Sequence, residues 1–359
     1  MLNADAIKDH ARSLGFDVCG IAPAAALPEL ARLPDWLARG YAGEMIYLHK
    51  SAHVRADIRN FLPSARSVIV TGTVYNTEEP GAGLRAPGSD RVRVARYARG
   101  QDYHVVLAER LEALVEWMRS RHHEPFDAAI FVDKHQVQER PYARHAGIGW
   151  IGKNTCVINP ELGSFLFLAG IATDLQLDPD APSLDQCGAC TLCIDACPTG
   201  ALVDAHVLDA TRCISYLTIE TAGAIAADRR PQIANHAYGC DICQDVCPWN
   251  LAGPRTQDPA WHAEPRNGLS AAALWQRTDN ELHQLVAGSA MTHLSLSGLR
   301  RNLATVIGNS GDAALAAALD RPGRGIKNAA HSAHTPAVED AVAWAREKLE
   351  PSSPQVLKS

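Results

Sequence analysis

Apolar and polar positions change period several times along the chain, and each change marks an element. Residues 4–15 read as an amphipathic helix ending at Gly15, and Phe16–Ile21 as a short strand. A helical segment at Leu30–Arg39 precedes a turn at Gly40–Tyr47. Ser67–Tyr75 is β-branched and uncharged, which predicts a buried strand, and the Gly-, Pro- and acid-rich residues 76–90 predict a loop. Leu107, Leu111, Leu114, Val115 and Met118 recur at helical spacing in Val105–Ser120, a core-packing stripe. Two more strands are predicted at Ala128–Val132 and 163–173. Between them Ala146–Asn154, AGIGWIGKN, is too glycine-rich for a helix interior and requires a tight turn or a close approach. Alternation of strands and helices up to about residue 175 predicts an α/β domain. Residues 251–280 read as a linker with turns, followed by short helices near 281–287, 297–309, 312–319 and 337–349. Paired helices of that length resemble HEAT-type repeats, though two units do not establish a period.

Composition adds bounds. At 359 residues the chain can bury two or three cores, and its net charge of −6 excludes a surface coated in basic groups. The acidic amino terminus lacks the apolar stretch of a signal peptide, and Leu162–Thr173 is too short to span a bilayer, so a cytoplasmic location and no membrane partner are expected. Asp174–Asp209 contains seven Asp and no Lys or Arg: a solvated face, or a docking surface for a basic electron donor. Arg300, Arg301, Arg321, Arg324 and Lys327 stand against only Asp312 and Asp320 in residues 295–330, a modest positive patch suited to phosphate or plain surface.

The strongest chemical signal is the cysteine spacing. Eight of ten cysteines lie between Cys187 and Cys247, the first run reading C-x2-C-x2-C-x3-C-P, the ligand pattern of bacterial two-cluster ferredoxins. The second run, Cys240, Cys243 and Cys247, is one thiol shorter, and Cys213 supplies it. One [4Fe–4S] cluster then takes Cys187, Cys190, Cys193 and Cys247, and the other takes Cys197, Cys213, Cys240 and Cys243. Structural zinc and disulfides are the alternatives. Cys19 and Cys156 are left over and read as small buried hydrophobes. Asp133 follows a strand at its carboxyl end, where sheets of this class bind ligands, or where an aspartate caps a helix.

Several stretches resemble the epoxyqueuosine reductase family over essentially the whole length. They are Arg55 after GEMIYL, RYARGQDYH at Arg96–His104, ERPYARHAGIGWIGKN at Glu139–Asn154 and GSFLFL at Gly163–Leu168. CISYLTIE at Cys213–Glu220 and YGCDICQDVCPWN at Tyr238–Asn250 are the most specific, because they add residues that clusters do not require. The resemblance implies a cobalamin-binding α/β domain (1–175), a two-cluster ferredoxin-like domain (176–255) and a C-terminal α-helical, HEAT-like domain contacting tRNA (256–359). It implies reduction of epoxyqueuosine to queuosine at the tRNA wobble position by a monomer fed from an external flavodoxin- or ferredoxin-type donor. By the same resemblance Asp133 is the general acid, and Arg55, Tyr97, Asp133, Ser215 and the backbone near Cys240 and Asp241 contact the corrinoid; Lys153 pairs with a corrinoid amide or a tRNA phosphate, or faces water. Arg300, Arg301, Arg324 and Lys327 are candidates for RNA contact. His104 reads as a packing or capping group. The family usually follows its aspartate with small residues and proline, whereas here Lys134, His135 and Gln136 follow Asp133. A cation there would lower the acid's pKa; alternatively Lys134 points away, or His135 shares the proton work. A corrinoid iron–sulfur reductase of a small molecule, similar to reductive dehalogenases, and an electron-transfer protein without chemistry of its own are the competing functions.

Overall fold

The structure, a computed structural model, describes residues 2–77, 88–262, 266–320 and 335–350. The chain forms two compact units, each assembled from separated stretches. The first comprises Met1–Glu78, Gly100–Cys213 and Asp241–His262; the second comprises Glu79–Arg99, Ile214–Cys240 and Ala263–Ser359.

In the first unit four strands form one sheet: β1 (Val18–Pro23), β2 (Ser67–Val74), β3 (Ala128–Phe131) and β4 (Leu166–Thr173), in the spatial order β1-β2-β4-β3. Every pairing is antiparallel, with Val18 opposite Gly72, Val74 opposite Leu166 and Ala128 opposite Thr173. The strands and helices alternate as expected, yet the sheet is not the parallel one that such alternation usually builds. Every residue of β2 is buried, as befits a strand with helices on both faces. On one face Val68, Val70 and Ala172 join Tyr142 and Ala143 of α3 (Glu139–His145) in a core that also holds Ile58, Val137 and Ile148. Helices α1 (Ala4–Ser13) and α2 (Tyr103–Arg121) pack on each other and on the sheet, and α2 buries the predicted Leu107–Met118 stripe. The glycine-rich segment 146–154 holds a two-residue strand, Trp150–Ile151, paired with Val157–Ile158. A Cβ on Gly149 would lie 2.3 Å from the Ile158 carbonyl oxygen, so the predicted close approach is real.

The second unit is mainly helical. Among its helices are α4 (Ile214–Ile219), α5 (Asp279–Val286), α6 (Leu296–Ser310) and α7 (Pro336–Leu349). Thr278 and Glu281 form a reciprocal capping box at the start of α5. Gly308 of α6 lets α7 come close, since a Cβ there would lie 2.6 Å from the Trp344 ring. Residues 251–280 are less of a linker than predicted. They contain the turn Pro259–Trp261 and the helix Ala271–Trp275, whose tryptophans are buried and give each segment a core contact.

The expected basic patch is not a surface at α6. Arg300 and Arg301 are 0% and 1% exposed. Arg300 donates to Asp279 Oδ1 at 2.9 and 2.6 Å and to the carbonyls of Trp275 and Arg277. Arg301 donates to the carbonyls of Leu217, Thr221 and Gly223, satisfying acceptors at and just beyond the end of α4. Both are therefore withdrawn as RNA contacts: α6 is buried nearly all round, and its arginines serve carbonyls and a carboxylate inside the fold. Arg324 and Lys327 lie outside the described residues. Arg300→Ala would strand the buried Asp279 carboxylate, so urea denaturation should register a loss of about 3–5 kcal/mol; a change below about 1 kcal/mol would contradict the pairing.

Candidate active site

β3 delivers Asp133 at its carboxyl end, where the backbone takes a φ of +34°, a left-handed setting that aspartate tolerates better than most residues. Its side chain is 64% exposed, yet two donors hold it. Tyr103 Oη donates to Asp133 Oδ2 at 2.7 Å, and His104 Nε2 lies 3.3 Å from the same oxygen. Asp102, the N-cap of α2, bonds the other ring nitrogen of His104 at 2.7 Å and its backbone N–H at 3.0 Å. Tyr103 in turn stacks on Phe167 of β4, with centroids 4.5 Å apart. One helix turn thus presents Asp102, Tyr103 and His104 to the acid as a connected chain. Desolvation pushes the Asp133 carboxyl up, but the bonds from His104 and Tyr103 outweigh it and the net shift is downward.

The loop after Asp133 is braced from below. His135 turns its Nδ1 back to the Val132 backbone, 3.0 Å from its N, and packs edge-on against Phe61. Lys134 is exposed. His104, read from sequence as packing or capping, is the histidine that reaches the acid. Arg55 donates to Ser51 Oγ at 2.9 Å and to the Val137 carbonyl at 3.0 Å, while Gln138 donates to the Arg55 carbonyl, tying the loop to the helix Ala52–Arg55. Glu139 opens α3 with Oε1 buried and without a hydrogen-bond partner among the described residues. Burial and the charge of Asp133 push its carboxyl up to about 8.

Seven of the eight spaced cysteines belong to the first unit, and Cys240 is the last residue of a stretch of the second. All eight are thiols among the described residues. Two one-turn helices, Leu192–Asp195 and Ile242–Asp245, pack together and carry Cys193 and Cys243. Sulfur acceptors already have N–H donors: Trp150 Nε1 lies 3.4 Å from Cys187 Sγ, and Ala201 N lies 3.3 Å from Cys197 Sγ. Burial raises the Cys197 pKa, but Thr199 and the neighbouring backbone N–H groups bring it below the usual value, favouring thiolate. The residues that clusters do not require fasten the module to the sheet. Asn250 accepts from Ser164 N at 2.7 Å and donates to Ser164 Oγ and to the Gln244 carbonyl, while Ser164 Oγ donates to the Gln244 side chain. Trp249 packs edge-on against the buried Trp150. Among the described residues no three His, Cys, Asp or Glu side chains converge on one point as a single-ion site requires.

The other predicted residues divide between the units. Arg55, Asp133, Lys153 and Asp241 lie in the first; Tyr97, Ser215 and Cys240 lie in the second. Lys153 donates to the carbonyls of Gly188 and Cys190 at 2.7 and 3.0 Å, so its ammonium braces the first cysteine loop instead of standing free for a corrinoid amide or phosphate. Asp241 is buried, and its carbonyl accepts from the N–H groups of Gln244 and Asp245. In the second unit Tyr97 and Ile219 flank Gly239, whose N–H donates to Thr218 Oγ1 at 3.0 Å. Cys19 is buried as predicted, with its thiol pushed up to about 12 by desolvation. Cys156 differs from expectation: it is half-buried, and a hydrogen bond with the Cys243 thiol lowers its pKa.

The chain is similar to known proteins. Residues 186–250 match the family described as "4Fe-4S double cluster binding domain", and residues 55–134 match "Epoxyqueuosine reductase QueG, DUF1730". The epoxyqueuosine reductase of Gloeobacter violaceus is 43% identical over 318 residues, 85% of this chain and 96% of the relative. That of Xanthomonas campestris is 40% identical over 308 residues, 85% and 86% of the two chains. The chain belongs to the epoxyqueuosine reductase family. It is accordingly an oxidoreductase with a double-cluster domain, of mixed α/β fold with a helical carboxy-terminal part. A crystal structure of epoxyqueuosine reductase with an epoxyqueuosine-modified tRNA-Tyr stem loop matches it with a TM-score of 0.85 and 30% identity, over 96% of this chain and 89% of the other. The Bacillus subtilis enzyme, described with its catalytic aspartate loop swung out of the active site, matches with a TM-score of 0.84 and 29% identity over 96% and 90%. No helix among the described residues is long and apolar enough to cross a membrane.

Tyr103→Phe removes one of the two donors to Asp133 Oδ2. The carboxyl should then titrate at higher pH, followed by carbon-13 NMR of the side-chain carboxyl; an unchanged midpoint would mean that the phenol does not act on the charged form.

Proposed function

We propose that the chain reduces epoxyqueuosine to queuosine at the wobble position of tRNA, with Asp133 as the acid that protonates the departing oxygen. The observation that carries this is the Asp133 carboxylate, exposed on one side and held from the other by Tyr103 and His104, in the same unit as seven of the eight spaced cysteines. Opening an epoxide to an alkene removes its oxygen as water and consumes two electrons and two protons. A bound cobalamin would supply cobalt able to take electrons singly from two [4Fe–4S] clusters and to act on carbon.

The residues present fit both groups. The thiols of Cys187, Cys190, Cys193 and Cys247 would hold one cluster, and those of Cys197, Cys213, Cys240 and Cys243 the other. Trp150 and Ala201 already donate to two of those sulfurs, as cluster ligands require. A corrin carries amide side chains at its rim, and Arg55, half-buried with donors beyond those given to Ser51 and Val137, matches their carbonyls. Tyr97, Ser215, Cys240 and Asp241 are the remaining corrinoid contacts we propose. Asp133 takes the acid's role because its two donors stabilise the carboxylate left after each transfer, which makes it a ready donor. Stem-loop recognition falls to the helical part, read as HEAT-like, with Arg324 and Lys327 its remaining basic candidates. An external flavodoxin- or ferredoxin-type protein feeds a monomer.

Protein reconstituted with iron, sulfide and cobalamin, given a reductant, should convert epoxyqueuosine tRNA to queuosine tRNA. Asp133→Ala should lower that conversion by about 10²-fold or more while a corrinoid visible spectrum persists. Conversion unchanged in Asp133→Ala would remove the acid's role. No conversion by wild type with iron and sulfide intact would favour an electron-transfer protein.

A further inference from the structure

Asp133 delivers protons well and stores them badly, because Tyr103 and His104 both stabilise its ionised form. A site that must protonate oxygen therefore needs its proton kept elsewhere. Six residues along the chain, the Glu139 carboxyl has the opposite setting. Its Oε1 is buried and has no hydrogen-bond partner among the described residues. A hydrogen bond from its own backbone N–H favours the ionised form, and burial outweighs it. The charged groups that act on it are Asp133, which opposes a second negative charge, and Arg140 and Arg55, which favour one. Arg55 gives two of its donors to Ser51 and Val137, and the Arg144–His145–Glu29 group sits at the far end of the helix. The net result is a carboxyl pushed up to about 8 beside one pushed down. Two carboxyls driven apart in this way divide acid and base roles between them.

We propose that Glu139 is the proton reserve of the site, a carboxylic acid held neutral at rest whose proton Asp133 passes to the substrate oxygen. This rests on the acid role of Asp133 proposed above. In the first transfer the Glu139 acid loses its proton, Asp133 carries it to the oxygen as a C–O bond breaks, and both carboxylates are left ionised. The second proton enters from solvent at the exposed side of Asp133, and the oxygen leaves as water. The two electrons come from the reduced clusters by way of the corrinoid, and solvent reprotonates Glu139 before the next turnover. Glu139 acts through Asp133 and is a positioning residue for the proton, not a group that touches substrate.

Glu139→Gln keeps the size and neutrality of the protonated side chain and removes the proton. In the cobalamin- and cluster-loaded enzyme, single-turnover rates of wild type should fall as pH rises through about 8. In Glu139→Gln that limb should vanish and the rate near neutral pH drop about tenfold or more, while Glu139→Asp should restore a titrating limb. A second readout is independent of turnover. A carboxyl of raised pKa binds its proton more tightly folded than unfolded, so its contribution to stability is lost as pH rises from the ordinary 4.5 to about 8. The melting temperature of the loaded wild type should decline relative to Glu139→Gln across that window. Rates lowered equally at every pH, a limb that persists in Glu139→Gln, or parallel melting curves would overturn the proposal. Turnover retained in Asp133→Ala would instead overturn the acid's role, whatever the melting curves show.

Discussion

A loop that carries four cysteines in the eleven residues from Cys187 to Cys197 has few apolar side chains to form a core, so its shape must be imposed from outside. Here the scaffold imposes it through polar contacts. Lys153 grips the carbonyls of Gly188 and Cys190, and Trp150 aims its N–H at Cys187. Asn250 and Gln244 lock the second cysteine run to Ser164, just before β4. Each of these bonds is anchored in segments that the glycine-rich 146–154 turn and the buried sheet hold still. Without that anchorage the thiols would move with their loops, and electron transfer and cluster retention both depend on fixed ligand positions.

The same sheet positions the acid. β4 contributes Phe167 beneath Tyr103, and Asp133 lies two residues beyond the end of β3 next to it, so the proton donor and seven of the eight spaced cysteines belong to one unit. The aspartate's left-handed backbone is held by its surroundings: His135 folds back to Val132, and Arg55 and Gln138 tie the following loop to a neighbouring helix. Lys134, which breaks the family's usual pattern, is exposed on that loop, and the groups that set the charge of Asp133 come instead from the first turn of α2. This explains how the local sequence tolerates a departure beside its acid.

In the second unit buried charge has a different purpose. Arg300 joins Asp279 and two carbonyls, and Arg301 gathers three carbonyls at and beyond the end of α4, so α6 is fixed by directed bonds as well as by packing. Such networks leave little freedom of register, because a slip of one residue would strand a carboxylate or a guanidinium in the interior.

Much of this was legible in residue order. Spacing alone announced the clusters, because three thiols held two residues apart and a fourth before proline meet a local chemical requirement. Strand and helix positions followed from local periodicity, and the close approach in 146–154 from its glycines, since both are properties of neighbouring residues. What tertiary structure decided is everything that depends on direction. The sheet proved antiparallel throughout, which alternation of elements does not determine. A histidine filed as a cap reached across to the aspartate, and a lysine offered to the cofactor braced a cysteine loop. Two arginines counted as surface turned inward. A side chain's type states what it can bond, but only the packed chain fixes which partner stands within reach and how much water remains beside it.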